Sequence, residues 1–248
     1  MQNKTTLWEF MTNSDYRMAI FIMLGIKTLQ QLSGEAAIDA YMQPIIASTG
    51  STISEETSSI IFGIVQLPGA LLAGYLVDKM GRKPLLIASA TGCAIALFAE
   101  GTYFYFQDVL ETDVSSISWL PTTGIAVFVF MINVGIVTLP YVLLGELFAT
   151  NIKGIGVSTF TLYGASLAFL VSKFFKPLAN AWGEYTVFWI FGCICVLGII
   201  FVLTVLPETK GKSFSEIQAI LKRKTTKKDD VETKDTGKPQ RSPPPYTA

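Results

Sequence analysis

Five side chains in the first apolar stretch could do chemistry: Lys27, Gln30, Gln31, Glu35 and Asp39. Lys27, Gln31, Glu35 and Asp39 recur at every fourth position, so a continuous α-helix would gather them into one slowly drifting stripe, with Gln30, Gly34 and Tyr41 alongside. The adjacent carboxamides of Gln30 and Gln31 offer donors and acceptors together, which suits a neutral polyol and does not favour ions. Glu35 and Asp39 add carboxylates that could take up a proton or a cation in a coupled variant. The competing reading is structural, with Lys27 and Asp39 merely reaching opposite interfaces of a membrane. The chain has no His, the commonest general base and metal ligand, so no catalytic residue, metal or cofactor is expected.

The elements that position these residues follow from composition. Half of the chain is hydrophobic and only 15% is charged, against about 25% charged in a soluble domain, and the mean hydropathy is +0.46. This is a bilayer protein. Six runs, near 18–47, 59–77, 84–106, 119–147, 154–178 and 185–206, are each long enough to cross a hydrocarbon core of about 30 Å. The fold class expected is an all-α membrane protein of six transmembrane helices. Its parts are an N-terminal segment 1–16, a six-span bundle 17–211, an amphipathic helix 212–222 and a disordered tail 223–248. Cys93, Cys193 and Cys195 fall within spans and read as packing residues rather than disulfide partners. Formal net charge is zero, which suggests no nucleic-acid partner.

The polar stripe constrains the first span. At the membrane centre Lys27 and Asp39 would each cost about 2.5–3.5 kcal/mol, whereas each Leu, Ile or Phe returns only about 0.3–0.6. Exposed to lipid, such a helix inserts poorly, so its polar face must look into the bundle or a watery cavity.

Cations set the orientation. Lys79, Arg82 and Lys83 lie between spans two and three, Lys153 between four and five, and Lys210, Lys212, Lys222, Arg223 and Lys224 after six, while the other connections carry only acids. Cytoplasmic loops collect Lys and Arg, so both termini are expected in the cytoplasm.

Four motifs, Gln30-Gln31-Leu32-Ser33-Gly34, Asp78-Lys79-Met80-Gly81-Arg82-Lys83, Gly145-Glu146-Leu147-Phe148 with Lys153-Gly154, and Pro207-Glu208-Thr209-Lys210-Gly211, stand in order along the chain. Together they resemble the signatures of the sugar porter family of the major facilitator superfamily, over nearly all of residues 7–221. Gly63-Ile64-Val65-Gln66 and the stretch from Phe188 to Gly192 look most like the insect facilitated trehalose transporter branch. The resemblance implies facilitative transport of a sugar by alternating access at the plasma membrane. It also implies that this chain is the C-terminal bundle, two inverted three-helix repeats, of a twelve-span carrier. The other bundle would be supplied by a missing N-terminal half or a partner half. The chain is then a fragment, a truncated product or a pairing subunit. A non-transporting protein that binds a full-length carrier or senses sugar is the rival reading.

Carried over by resemblance, Gln30, Gln31 and Gln66 touch sugar, with Asn133 and Tyr141 flanking the cavity. Asp78, Arg82, Lys83, Glu146, Lys153 and Glu208 form a cytoplasmic gate, in which Lys153 keeps the charge of the usual Arg without its fork. Departures from the family pattern gather in the pocket: Ala36 stands for an Asn, Val137 and Thr138 for Gly-Pro, and Gly164 and Ala165 for Asn-Trp. Pro140 and Pro68-Gly69 are expected to interrupt their helices near the cavity.

After the exit motif, Ser213 and Glu216 form a capping box ahead of an apolar stripe of Phe214, Ile217, Ile220 and Leu221. The Lys-rich tail is suited to anionic lipid. Pro243-Pro244-Pro245-Tyr246 matches a ligand for the WW domain of a ubiquitin ligase.

Overall fold

A computed structural model describes residues 16–48, 55–150 and 152–221. The N-terminal segment before Tyr16, the tail from Lys222 and the expected Pro243–Tyr246 ligand lie outside the described residues. Within them the architecture is helical throughout, as the apolar runs require: a membrane-spanning backbone must satisfy its own hydrogen bonds. The helices are α1 (Arg17–Leu32), α2 (Glu35–Ser48), α3 (Glu55–Met80), α4 (Arg82–Asp108), α5 (Leu120–Val134), α6 (Leu139–Leu147), α7 (Lys153–Trp182) and α8 (Glu184–Thr204). A further helix, α9, covers 214–221. Among the described residues, five segments are long and apolar enough to cross a membrane: Ile60–Met80, Arg82–Asp108, Leu120–Leu147, Lys153–Trp182 and Glu184–Thr204.

The first apolar run is two helices, not one. At Ser33 and Gly34 the chain leaves α1, with Gly34 at φ +92°, a left-handed backbone that glycine enters without steric penalty. A Cβ at Gly34 would also lie 2.4 Å from the Phe191 ring of α8. The Ser33 hydroxyl donates to the Gln30 carbonyl at 2.7 Å, satisfying one group freed by the break. The expected continuous stripe from Lys27 to Asp39 is therefore cut, with Lys27 and the glutamines on α1 and the two acids on α2.

The fourth run is interrupted too, between Val134 and Leu139. Ser89 of α4 bridges this gap, donating to the Met131 carbonyl at 2.6 Å and accepting the Ile136 N–H at 3.2 Å. Thr138 Oγ1 donates to the Asn133 carbonyl at 2.7 Å. Pro140 stands at the start of α6, just past this break. Pro68 does not interrupt its helix, contrary to expectation: α3 runs through it, and the adjacent Gly69 lets the Phe130 carbonyl of α5 approach within 2.8 Å of where a Cβ would be.

Packing places α4 chiefly against α8 and α5, α3 against α5, and α1 and α2 against α7. The contacts combine aromatic stacking, as between Phe104 and Phe188 at 5.6 Å, with small residues that let helices close on one another, such as Gly25 beneath Phe201 and Gly198 beneath Leu29. Cys93 and Cys195 are buried and all three cysteines are free thiols, consistent with a packing role for the buried pair. The capping box forms as its spacing predicts: Ser213 N–H and Oγ donate to Glu216 Oε2 at 2.7 and 2.8 Å. Of the apolar stripe on α9, Ile217 and Leu221 are buried while Phe214 is exposed.

Candidate functional site

Across the break between α1 and α2, Lys27, Gln30 and Glu35 form one hydrogen-bonded cluster. The Lys27 ammonium donates to Gln30 Oε1 at 2.9 Å, and Gln30 Nε2 donates to Glu35 Oε2 at 3.0 Å. Gln30 thus bridges a cation and an anion across the break. Lys27 Nζ also stands 4.3 Å from the centroid of the Tyr141 ring on α6, within cation–π range. Gln31 is buried, and its Oε1 has no hydrogen-bond partner among the described residues. Behind the cluster, Thr28 and Tyr163 share a hydrogen bond of 2.8 Å that ties α1 to α7.

Of the residues proposed for substrate contact, the structure brings together Gln30, Gln31 and Tyr141. Asp39 lies exposed, four positions beyond Glu35 on α2. No hydrogen bond among the described residues joins Gln66 or Asn133 to this cluster. Asn133 spends its amide on the Val129 carbonyl of its own helix at 2.8 Å and packs beside Gly69, one turn from Gln66. Lys27, expected on the stripe but with no partner assigned to it from spacing alone, is a full participant in this cluster. Its signal was present, since residues three apart on a helix share a face.

A second, charged cluster sits where α3, α4, α6 and the segment after α8 meet. Arg82 Nε and Nη2 both reach Glu146 Oε1, at 2.8 and 2.7 Å, and Nη2 lies 3.6 Å from Asp78. The other Glu146 oxygen accepts the Thr209 hydroxyl at 2.6 Å. Glu208 accepts the backbone N–H groups of Arg82 and Lys83 at 3.0 Å each and that of Lys210 at 2.9 Å. Burial alone would push its carboxyl up, but the N–H groups of Lys210, Arg82, Lys83 and Thr209 outweigh burial and hold it below the usual carboxylate range. Lys83 joins through its backbone only, its ammonium turning to the Leu203 carbonyl at 2.7 Å. Lys153 lines a neighbouring cleft with Lys212 and Phe214 and enters no ion pair among the described residues. Thr209, which the sequence reading passed over, is the neighbour of Glu208 that closes the network.

The family profile described as "Sugar (and other) transporter" matches residues 1–221. The chain belongs to the sugar transporter family. It is 36% identical over 216 residues to the facilitated trehalose transporter Tret1 of Polypedilum vanderplanki, covering 87% of this chain and 42% of that protein. To Tret1 of Anopheles gambiae it is 38% identical over 199 residues, 80% of this chain and 25% of the relative. The chain therefore spans less than half the length of these curated relatives. Among solved structures it is similar to the major facilitator superfamily proton:xylose symporter XylE bound to 6-bromo-6-deoxy-D-glucose, with TM-score 0.65 and 29% identity over 82% of this chain and 42% of that one. A likeness of TM-score 0.63 holds to the inward-open conformation of XylE from E. coli, again over 82% of this chain. In this sugar transporter homologue the first and fourth apolar runs are the ones that break.

Proposed function

We propose that this chain is the C-terminal six-helix half of a facilitative sugar transporter that moves a hexose or trehalose across the plasma membrane by alternating access. The observation that carries the reading is the pair Gln30 and Gln31 at a break in a membrane helix, where carboxamides and freed backbone groups can bond hydroxyls. The names of the curated relatives, facilitated trehalose transporters, support the substrate class. In this reading Gln30, Gln31 and Gln66 bind hydroxyls, and Asn133 and Tyr141 border the cavity. Asp78, Arg82, Lys83, Glu146 and Glu208 govern a gate at the cytoplasmic end, with Lys153 at its edge, and both termini lie on that side. A further six-helix half supplies the opposite wall. Glu35 and Asp39 are the groups that a proton- or cation-coupled version would use. The Pro243, Pro244 and Tyr246 stretch offers the tail to a WW-domain ubiquitin ligase.

The test is binding of labelled trehalose and glucose by the purified chain in nanodiscs. It is paired with uptake when the chain is co-expressed with the N-terminal half of a related transporter. Saturable binding that weakens about tenfold in Gln31→Ala, the loss of one good hydrogen bond, is expected. No sugar binding by the wild-type chain together with no saturable uptake by the co-expressed pair sinks the reading.

A second reading, a non-transporting protein that associates with a full-length carrier or senses sugar, is favoured by one observation. Both ends of the Gln30 carboxamide are already engaged, and Ala36, Gly164 and Ala165 present no polar side chain. It predicts stable co-purification with a full-length transporter and no uptake.

A further inference from the structure

We infer that Lys27 is an internal competitor of the sugar, a tethered side chain that occupies the positions where a neutral substrate would bind. The inference rests on the transport reading above and concerns the regulation of that same site.

Four observations converge on this one side chain. Its ammonium occupies Gln30 Oε1 at 2.9 Å, an acceptor that a sugar hydroxyl would need. The same ammonium stands 4.3 Å from the centroid of the Tyr141 ring, the aromatic surface a sugar ring would stack on. Its stem fills the space that opens at Gly164: a Cβ added there would lie 3.6 Å from Lys27 Cδ and 3.8 Å from Gln31 Nε2. Finally, Lys27 is 2% exposed, so it is lodged within the cluster rather than extended toward an interface.

The chemistry explains why the side chain stays. A cation inside a membrane bundle needs polar partners, and here Gln30 relays the charge to Glu35, since its Nε2 donates to that carboxylate at 3.0 Å. An intramolecular competitor also acts at high effective concentration, on the order of millimolar or more, so modest contacts suffice to exclude a weakly bound sugar. The acids on α2 argue against the alternative that Lys27 recruits an anionic substrate. Glu35 sits one hydrogen bond away through Gln30 and Asp39 one turn beyond it, so an incoming anion would meet two carboxylates for one cation. Sugar must therefore displace Lys27 from Gln30 and Tyr141 before it can bind.

The experiment compares the wild-type chain 1–248 with Lys27→Gln and Lys27→Met in nanodiscs, measuring equilibrium binding of labelled trehalose and glucose and the thermal unfolding midpoint of each. Lys27→Gln removes the charge and shortens the stem; Lys27→Met keeps an apolar stem and deletes the donor, providing a folded comparison if the Gln variant does not fold. Both variants are expected to bind neutral sugar about tenfold more tightly than wild type, the factor equivalent to about 1.4 kcal/mol. Wild type binding sugar while a folded variant binds equally or less tightly overturns the competitor and leaves the transport reading intact. Absence of binding by wild type and by folded variants alike overturns the competitor and, together with no saturable uptake by the co-expressed pair, the transport reading as well.

Discussion

Glu208 caps the helix that begins at Arg82. Its two carboxylate oxygens accept the backbone N–H groups of Arg82 and Lys83, each at 3.0 Å, across 126 and 125 positions of sequence. The residue at the cap position itself, Gly81, has no side chain to offer and holds φ +94°. A carboxylate on the first turn of a helix satisfies orphan donors and complements the helix dipole. The fixing of α4 to the segment after α8 thus depends on a cap supplied by tertiary structure.

Removal of that cap should be measurable. Glu208→Ala is expected to lower stability by about 1 kcal/mol, the usual magnitude for losing a helix cap. Gly81→Ala should do the same or worse, because its Cβ would come 2.8 Å from Glu208 Oε2 on a backbone that disfavours alanine. Thermal unfolding in detergent reads both; unchanged midpoints would show that the cap is redundant.

Acid sensitivity follows from the same carboxylate. Its folded-state value lies below that of an ordinary glutamate, with burial opposing and four backbone N–H groups prevailing. Such a group contributes stability that is present above the unfolded-state glutamate value and lost as pH falls through the lower folded-state value. Wild type should therefore lose stability on acidification below the ordinary glutamate range, and Glu208→Gln should show a flatter profile. Unfolding midpoints from neutral pH downward check this, and parallel profiles would refute it.

Gly34 should be intolerant for two separable reasons. Alanine there meets a disfavoured backbone at φ +92° and a ring 2.4 Å away, so Gly34→Ala should destabilise by more than about 1 kcal/mol. Adding Phe191→Ala removes the collision but not the backbone strain. Partial recovery in the double variant, relative to Phe191→Ala alone, is the expected outcome of a double-mutant cycle.

Glu100 is a buried carboxyl at 1% exposure. It lies over the first turns of α5, facing the Ile125 backbone, its Oε1 2.2 Å from where a Cβ on Gly124 would be, and neither oxygen makes a well-formed hydrogen bond among the described residues. A buried polar group whose hydrogen bonding is incomplete is destabilising by about 1–3 kcal/mol, so Glu100→Met should raise the unfolding midpoint. A lower midpoint would mean that the carboxyl has a partner whose loss matters more.

Much of the frame was legible because it is local. Apolar run length announced the spans, and the Ser213 to Glu216 spacing announced a cap that forms as drawn. The motif pair around Arg82 and Glu146 was legible through its resemblance to the family signatures, and the two residues meet at 2.7 Å. The break at Gly34 was not: a four-residue polar rhythm implies a straight helix, whereas the backbone turns at Gly34 with φ +92° and packs there against the Phe191 ring. The grouping of Gln66 and Asn133 with Gln30 rests on the family resemblance alone, and in the structure Asn133 donates to the Val129 carbonyl of its own helix.

By itself, the sequence determined that this protein lives in a bilayer, that apolar runs build it, and that two glutamines and a set of charges stand out against them. Those properties belong to single residues and short windows, so hydropathy and spacing carry them. Tertiary structure alone decided that Lys27 comes to rest between Gln30 and Tyr141, and that Glu208 caps a helix beginning 126 residues earlier. Such contacts depend on where the backbone breaks and which helices pack together, and a buried cation or an orphan N–H takes whichever partner that packing brings within reach.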